Sequence, residues 1–324
     1  MTTALKLQGV EKSFGDQKAV TALELTVPGG ETCGLIGPSG AGKTTSIRLI
    51  MSILFPDAGS VEVLGRPSAL DAKDRIGYLP EERGVYRKMK VWAFLKYLAG
   101  LKGMSEDKAL PRAKQLLAEL GLEDILQKKC EDLSKGMLQR VQFVGSILHQ
   151  PQLLILDEPF SGLDPVSVRA LKGVIAAERR RGTTILFSTH VMAQAEELCD
   201  RVVMIHKGRK VLDESMNSLR RRYDPTRVLF EPLDAGARLD GLREIPGVLS
   251  LTQAENAAEL RLAPGTDPAA VIRDAAARVV PARIEIARIT LEDVFVGIVR
   301  ERSGEAESEA ALRQHLQGLS GEKA

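Results

Sequence analysis

The chain has 324 residues, enough for roughly two domains, with 44% apolar and 27% charged residues, proportions ordinary for a globular protein. Its 45 Lys and Arg nearly cancel its 43 Asp and Glu, so no net field directs it to nucleic acid or to an anionic membrane surface, and no nucleic-acid partner is expected. Cys33, Cys130 and Cys199 lie far apart, form no CxxC pair or ligand cluster, and by their odd number exclude a simple disulfide framework, so three reduced, buried thiols are expected.

Met1–Val10 holds no basic stretch followed by an apolar core, so no signal peptide is predicted. Ala4–Leu7 alternates in polarity and Ala22–Val27 nearly does, which predicts strands ahead of a Pro28-Gly29-Gly30 turn. Thr32–Ile36 is a short apolar strand running into a glycine-rich loop. Val91, Phe94, Leu95, Leu98 and Leu101 fall on one face of a helix. A second helix is predicted over Leu110–Leu120, with Pro111 in its first turn and Gly121 past its end. Leu153–Leu156 and Thr184–Phe187 read as buried parallel strands. Neither they nor Val141–Leu148 approaches the ~20 apolar residues of a membrane helix. The chain therefore reads as cytosolic, and any membrane role must come through a partner.

The pattern changes at Arg220–Pro225, where a basic cluster meets Asp224-Pro225. Beyond it, Arg227–Glu231 is predicted as strand, Ala235–Arg243 as a weak helix, and Val248–Gln253 and Glu259–Leu262 as strands. Asp267 and Pro268 open a helix, and Arg283–Ala287 is a last strand. The order βαββαβ is that of a ferredoxin-like α+β domain. A final helix starts at Thr290 with Asp293 as a capping-box variant, its apolar face being Leu291, Val294, Phe295, Ile298 and Val299. Gly304–Ala324 is polar and rich in Glu and Ala, a frayed helix or disordered tail. The expected division is 1–222, with a helical subdomain at about 82–150, then 226–300, then a tail over 301–324.

Two motifs carry chemistry. Gly37-Pro38-Ser39-Gly40-Ala41-Gly42-Lys43-Thr44 fits G-x-x-x-x-G-K-[ST] directly after a strand. The glycines let backbone N–H groups turn inward around phosphates, and a helix starting near Lys43 points its positive end at them. Lys43 would neutralise the β- and γ-phosphates, the Thr44 hydroxyl would ligate Mg²⁺, and Thr45 completes the nucleotide-binding set. The bland alternative is a glycine-rich turn. Leu153–Pro159 is an apolar strand ending in two carboxylates, and the carboxyl end of a parallel strand is where ligands sit. Asp157 would hold Mg²⁺ through water, and Glu158 would act as general base on the attacking water. Here the bland alternative is an acidic turn.

With these motifs in order, the chain from Leu5 to about Gly208 resembles the nucleotide-binding domain of ATP-binding cassette (ABC) transporters, which implies a P-loop α/β cassette with a helical subdomain. Leu133-Ser134-Lys135-Gly136-Met137 stands where that family's LSGGQ signature stands. Ser161-Gly162-Leu163-Asp164 looks like its D-loop, Ser188-Thr189-His190 like its switch histidine, and Phe14 like the aromatic that stacks on adenine. The resemblance implies ATP and Mg²⁺ as ligands and a shared site. Ser134 and Gly136 of a second chain, the same or a homologous ATPase subunit, cover the γ-phosphate. His190 contacts that phosphate, and Asp164 helps build the site across the interface. It also implies an integral membrane permease as partner, with the chain peripheral at the inner face of the cell membrane.

Glu81 stands where most of the family has glutamine, Lys135 where it has glycine and Met137 where it has glutamine. Tyr78–Gly84 resembles a bacterial subgroup associated with sodium extrusion and drug efflux, which also carries a small C-terminal domain and implies export. Glu81 would then sense Mg²⁺ and the water as a carboxylate, and Lys135 would add a cation near the opposing phosphates. Tyr78, Tyr86, Trp92, Phe94 and Tyr97 concentrate aromatics where the family receives a permease helix, and aromatic anchors suit such a groove. Phe94 is assigned to the subdomain core, while Tyr86 and Trp92 stay open between core and groove. Two other functions compete with this one: a soluble ABC ATPase of translation or repair, disfavoured by the single cassette, and a non-hydrolysing nucleotide lock, disfavoured by Glu158 and His190.

Overall fold

The two alternating segments form long strands, β1 (Thr3–Phe14) and β2 (Gln17–Pro28), which pair antiparallel and, with β4 (Ala58–Val63), make a three-stranded sheet in the order β2-β1-β4. Between them in sequence come β3 (Thr32–Ile36) and α1 (Lys43–Ile50). The computed structural model describes residues 2–82, 84–222, 227–254, 257–287 and 290–303. The expected junction at Asp224-Pro225, residue Arg83 and the Gly304–Ala324 tail lie outside the described residues.

The second sheet joins β5 (Ile76–Leu79), β6 (Leu153–Asp157), β7 (Thr184–Thr189), β8 (Arg201–His206) and β9 (Arg209–Ser215) to β3, in the order β5-β6-β7-β3-β8-β9. All its pairings are parallel except β8 with β9. Every residue of β3, β6 and β7 is buried, as near-continuous apolar strands covered on both faces must be. Leu35, Leu153, Ile155 and Leu186 share a core with Leu5, Leu25 and Ile47, so the two sheets and α1 bury a common interior. Because the strands run parallel, the loops after β3, β5, β6 and β7 leave from one edge, where ligands of such sheets bind.

A helical region comprises α2 (Val91–Leu101), α3 (Glu106–Glu119) and α4 (Lys135–Ile147), with α2 turning the expected residues Val91, Phe94 and Leu95 inward. The helix expected over Leu110–Leu120 starts earlier, at Glu106, and Pro111 lies inside it instead of in its first turn. Glu106 and Asp107 explain the earlier start, since acidic side chains suit the positive end of a helix. Proline near that end forfeits a single hydrogen bond, and the ladder beyond it continues. The sheet is completed around α5 (Pro165–Arg180) and α6 (Met192–Leu198). The three cysteines are free and buried.

Contacts divide the chain into one unit built on Met1–Ser215 with the end of the last helix from Ile298, and another, Met216–Gly297. The second unit begins with α7 (Met216–Arg222) and contains β10 (Arg227–Pro232), β11 (Val248–Ala254), β12 (Ala257–Leu262), α8 (Pro268–Arg278) and β13 (Pro281–Ala287). Its strands are antiparallel in the order β11-β12-β10-β13, the ferredoxin-like arrangement, over a core that includes Val228, Phe230, Leu242, Leu260 and Val271. The first helix expected there, Ala235–Arg243, does not form: only Asp240–Glu244 winds, as a short 3₁₀ turn. Asp234 diverts the chain first, its side chain accepting from Gly236 N at 2.9 Å, a local turn that competes with helix. Asp267 caps α8 through Ala269 N, with Pro268 in first position. The last helix, α9 (Leu291–Ser303), opens with a reciprocal box, Thr290 N donating to Asp293 and Asp293 N to Thr290 Oγ1 at 3.1 Å. Among the described residues no helix is long and apolar enough to cross a membrane.

Candidate functional site

The loop after β3 can fold only with glycine at two places. A Cβ on Gly37 would fall 2.1 Å from the carbonyl oxygen of Ile205, and one on Gly42, at φ 107°, would fall 2.5 Å from that of Ala19. The chain thus curls tightly and delivers the N-terminus of α1 at Lys43. Lys43 is 6% exposed. Its Nζ donates to Gly37 O at 2.8 Å and Pro38 O at 3.2 Å, and lies 3.6 Å from Glu158 Oε1. Burial pushes its pKa down, while the charges of Glu158 and Asp157 work against that shift. A cation held on backbone carbonyls beside a curled glycine loop and a helix N-terminus is what a polyphosphate requires.

Across the sheet edge, β6 brings Asp157 and Glu158. Asp157 is 1% exposed, and burial raises its pKa despite hydrogen bonds from Ser188 and Thr44. Ser188 Oγ donates to Asp157 Oδ1 at 2.5 Å, and Thr44 Oγ1 lies 3.4 Å from the same oxygen. The other oxygen, Oδ2, is buried with no partner among the described residues. Glu158 sits at φ 48°, a strained conformation for a residue with a side chain, and its Oε1 meets His190 Nδ1 at 3.0 Å. This contact raises the His190 pKa, with burial opposing. Thr189 at the end of β7 supports the turn behind, accepting from Val191 N and donating to Gln194.

These side chains fit Mg²⁺. Among the described residues no group of three or more His, Cys, Asp or Glu converges as a metal site, and Mg²⁺ needs none, since it keeps waters and takes phosphate oxygens. The Thr44 hydroxyl and the unpartnered oxygen of Asp157 are the ligands the chain offers.

The structure thus brings Lys43, Thr44, Asp157, Glu158 and His190 together. Glu81, after β5, is exposed, yet its charge acts on Lys43, Asp157 and His190. Ser39 and Gly40 are exposed at the loop's crest, and Thr45 follows in α1. Ser134, Gly136 and Asp164 make no hydrogen bond to this cluster among the described residues. Ser134 caps α4 by accepting from Met137 N at 3.2 Å, and Asp164 caps α5, accepting from Val166 N, Ser167 N and Ser167 Oγ. Leu163 abuts Gly136, so the signature and D-loop segments lie side by side. Phe14, at the end of β1, is 50% exposed with Lys12 Nζ 5.9 Å from its ring centre. In the helical region Phe94 is core, whereas Tyr86 and Tyr97 are exposed and stack edge-on with centroids 5.5 Å apart.

Sequence reasoning missed two residues. In the sequence Ser188 stands out only as a neighbour of His190. Gln139, buried in α4, donates to Pro159 O at 2.7 Å and so ties the signature helix to the loop after β6. For Ser188 the available signal was a polar residue closing an apolar strand, whereas Gln139, next to Arg140 and near Gln142, carries no such signal.

Residues 20–161 match the family described as ABC transporter, and residues 215–299 match that described as ATP-binding protein DrrA1-3-like, C-terminal domain. The uncharacterized ABC transporter ATP-binding protein YhaQ of Bacillus subtilis is 41% identical over 259 residues, 80% of this chain and 86% of that protein. Nod factor export ATP-binding protein I of Burkholderia lata is 36% identical over 218 residues, 66% of this chain and 72% of the other. A solved structure of an ATP binding subunit of an ABC transporter aligns with a TM-score of 0.64 and 33% identity, covering 68% of this chain and 93% of that one.

Proposed function

The chain belongs to the ABC transporter ATP-binding family, whose members are ATPases coupled to transport, and from that premise we propose that it pairs with a second such chain around two ATP molecules to power export through a separate membrane permease. The observation that carries this reading is the convergence of Lys43, Thr44, Asp157, Glu158 and His190 at the carboxyl ends of β3, β6 and β7. Lys43 would exchange its carbonyl partners for the β- and γ-phosphates. Thr44 and Asp157 would hold Mg²⁺, with Glu81 as a carboxylate near enough to tune them. Bound Mg²⁺ would supply positive charge against the negative charge developing on the phosphate oxygens. Glu158 would accept the proton of the attacking water, held in place by His190. Phe14, exposed at a strand end, would stack on the adenine.

The signature, with Ser134 and Lys135 exposed, completes the site in trans. Ser134 Oγ accepts from Met137 N, which leaves its own proton to donate to the γ-phosphate of the partner chain. The Gly136 N–H belongs to the first turn of α4, where backbone donors have no partner within the helix. Asp164, locked by its own helix cap, would hold the facing loop. The stacked Tyr86 and Tyr97 are the anchors offered to a permease helix at the inner face of the membrane. Export is supported by the name of the Nod factor relative and by the subgroup resemblance around Glu81; sodium or a drug would be the cargo. The unit 216–297 holds none of the phosphate-contacting motifs, so it would support or regulate instead of binding ATP.

The test is the Glu158→Gln variant, which keeps the side chain's shape and removes the base. At saturating ATP and Mg²⁺ it should run as a dimer by light scattering while phosphate release falls about 10²-fold or more. A monomer under those conditions overturns the shared-site reading.

A further inference from the structure

We infer that Ser188 is a positioning residue for Mg²⁺ and the attacking water, because one hydroxyl sets both the Asp157 carboxylate and the backbone of Glu158. The inference rests on the reading of this pocket as the Mg²⁺–ATP site. Asp157 and Ser188 are direct partners in the parallel ladder between β6 and β7, so their side chains leave the sheet together. A hydroxyl has one proton to give and lone pairs to receive. Ser188 gives its proton to Asp157 Oδ1 at 2.5 Å and receives the Glu158 N–H at 3.0 Å. Ser188 is 0% exposed, so solvent does not compete with it for either bond.

Each bond has a consequence. The first occupies one oxygen of Asp157 and leaves Oδ2 buried and unpartnered, an acceptor reserved for a cation. The second holds the point where the chain leaves β6 in the left-handed conformation at Glu158, which a residue with a side chain adopts only when its surroundings impose it. That conformation in turn sends Oε1 to His190. Removing the hydroxyl leaves Asp157 Oδ1 with only the 3.4 Å contact of Thr44 and takes away the side-chain acceptor of the Glu158 N–H, so the orientation of Asp157 and the φ of Glu158 relax together.

The test compares wild type, Ser188→Ala and Ser188→Thr in the full-length protein, reading the affinity for a fluorescent ATP analogue across Mg²⁺ concentrations and in EDTA, alongside phosphate release. Ser188→Ala should need about tenfold more Mg²⁺ for half-maximal binding, the size of one lost hydrogen bond to a charged group, with lower turnover. Its affinity in EDTA should stay within about twofold of wild type, and Ser188→Thr should restore the Mg²⁺ dependence. If Ser188→Ala gives no cooperative melt, Ser188→Cys replaces it, since a thiol is a weak donor and should shift the Mg²⁺ requirement in the same direction. An unchanged Mg²⁺ requirement, or equal loss in EDTA and in Mg²⁺, overturns the inference. A wild type whose nucleotide binding ignores Mg²⁺ overturns the reading of the pocket and the inference with it.

Discussion

Two buried carboxylates lie near opposite ends of the parallel strands β6 and β7, and they are treated in opposite ways. Glu178, late in α5, is 4% exposed and fully answered: Arg112 Nη2 donates to it at 2.8 Å, Arg181 Nη2 at 2.7 Å and Thr183 Oγ1 at 3.3 Å. The same arginines reach the carbonyls of Leu148 and Pro151, fastening α3, the end of α4 and the approach to β6 into one joint. Asp157, at the carboxyl end of β6, is 1% exposed but keeps an oxygen with no partner among the described residues, beside a desolvated lysine and a glutamate in a strained conformation. A buried charge whose hydrogen bonds are complete within the chain is structure. One left incomplete costs stability and is a place prepared for a ligand.

The sharpest way to break this contrast is to remove each carboxylate. Glu178→Ala strands Arg112, whose side chain is 19% exposed, and should cost about 3 kcal/mol. In the unit built on Met1–Ser215, which holds Glu178, that lowers the melting temperature by about 6–12 °C. ATP affinity of the folded protein should be unchanged, and an unaltered melt would show that the joint carries no stability. Asp157→Asn should do the reverse. It exchanges a desolvated charge for an amide, so the nucleotide-free protein should melt no lower than wild type, while the Mg²⁺-dependent part of ATP binding falls about tenfold or more. A loss of stability matching that of Glu178→Ala would place the two carboxylates in the same class.

The smallest effect concerns His190. Its pKa is raised above the ordinary 6.5, first by the hydrogen bond to Glu158. A raised value in the folded state means that the pair's contribution is full below about pH 6.5 and disappears as pH rises through the raised value. With the His190 side chain 24% exposed, that contribution should stay below about 1 kcal/mol. The stability difference between wild type and His190→Gln, measured without nucleotide by denaturant titration, should therefore be largest in mild acid and shrink above neutrality. A difference that grows with pH would mean that the pair is not held by a protonated imidazole.

The two units also differ in how far they could be read in advance. The strand–loop–helix over Thr32–Ile50 was legible because its signals are contiguous: an apolar strand, glycines at the sharp bends, and Lys43 opening the helix. The C-terminal sheet was legible from alternation and from the caps at Asp267 and Thr290. Its first helix was not, because the side chain of Asp234 turned the chain locally where propensity allowed a helix. The start of α3 was misplaced for a related reason, since apolar periodicity begins at Leu110 but the charges of Glu106 and Asp107 begin the helix.

By itself, the sequence determined which chemical groups the chain owns and which lie within one loop of each other, since those follow from covalent order and local backbone preference. Lys43 beside Thr44, and Asp157 beside Glu158, are of that kind. Only the tertiary structure decided that Ser188 stands opposite Asp157, that His190 meets Glu158, and that Gln139 holds Pro159. Those partnerships depend on strand register and helix packing between residues 20 to 32 positions apart, and burial alone makes their hydrogen bonds obligatory.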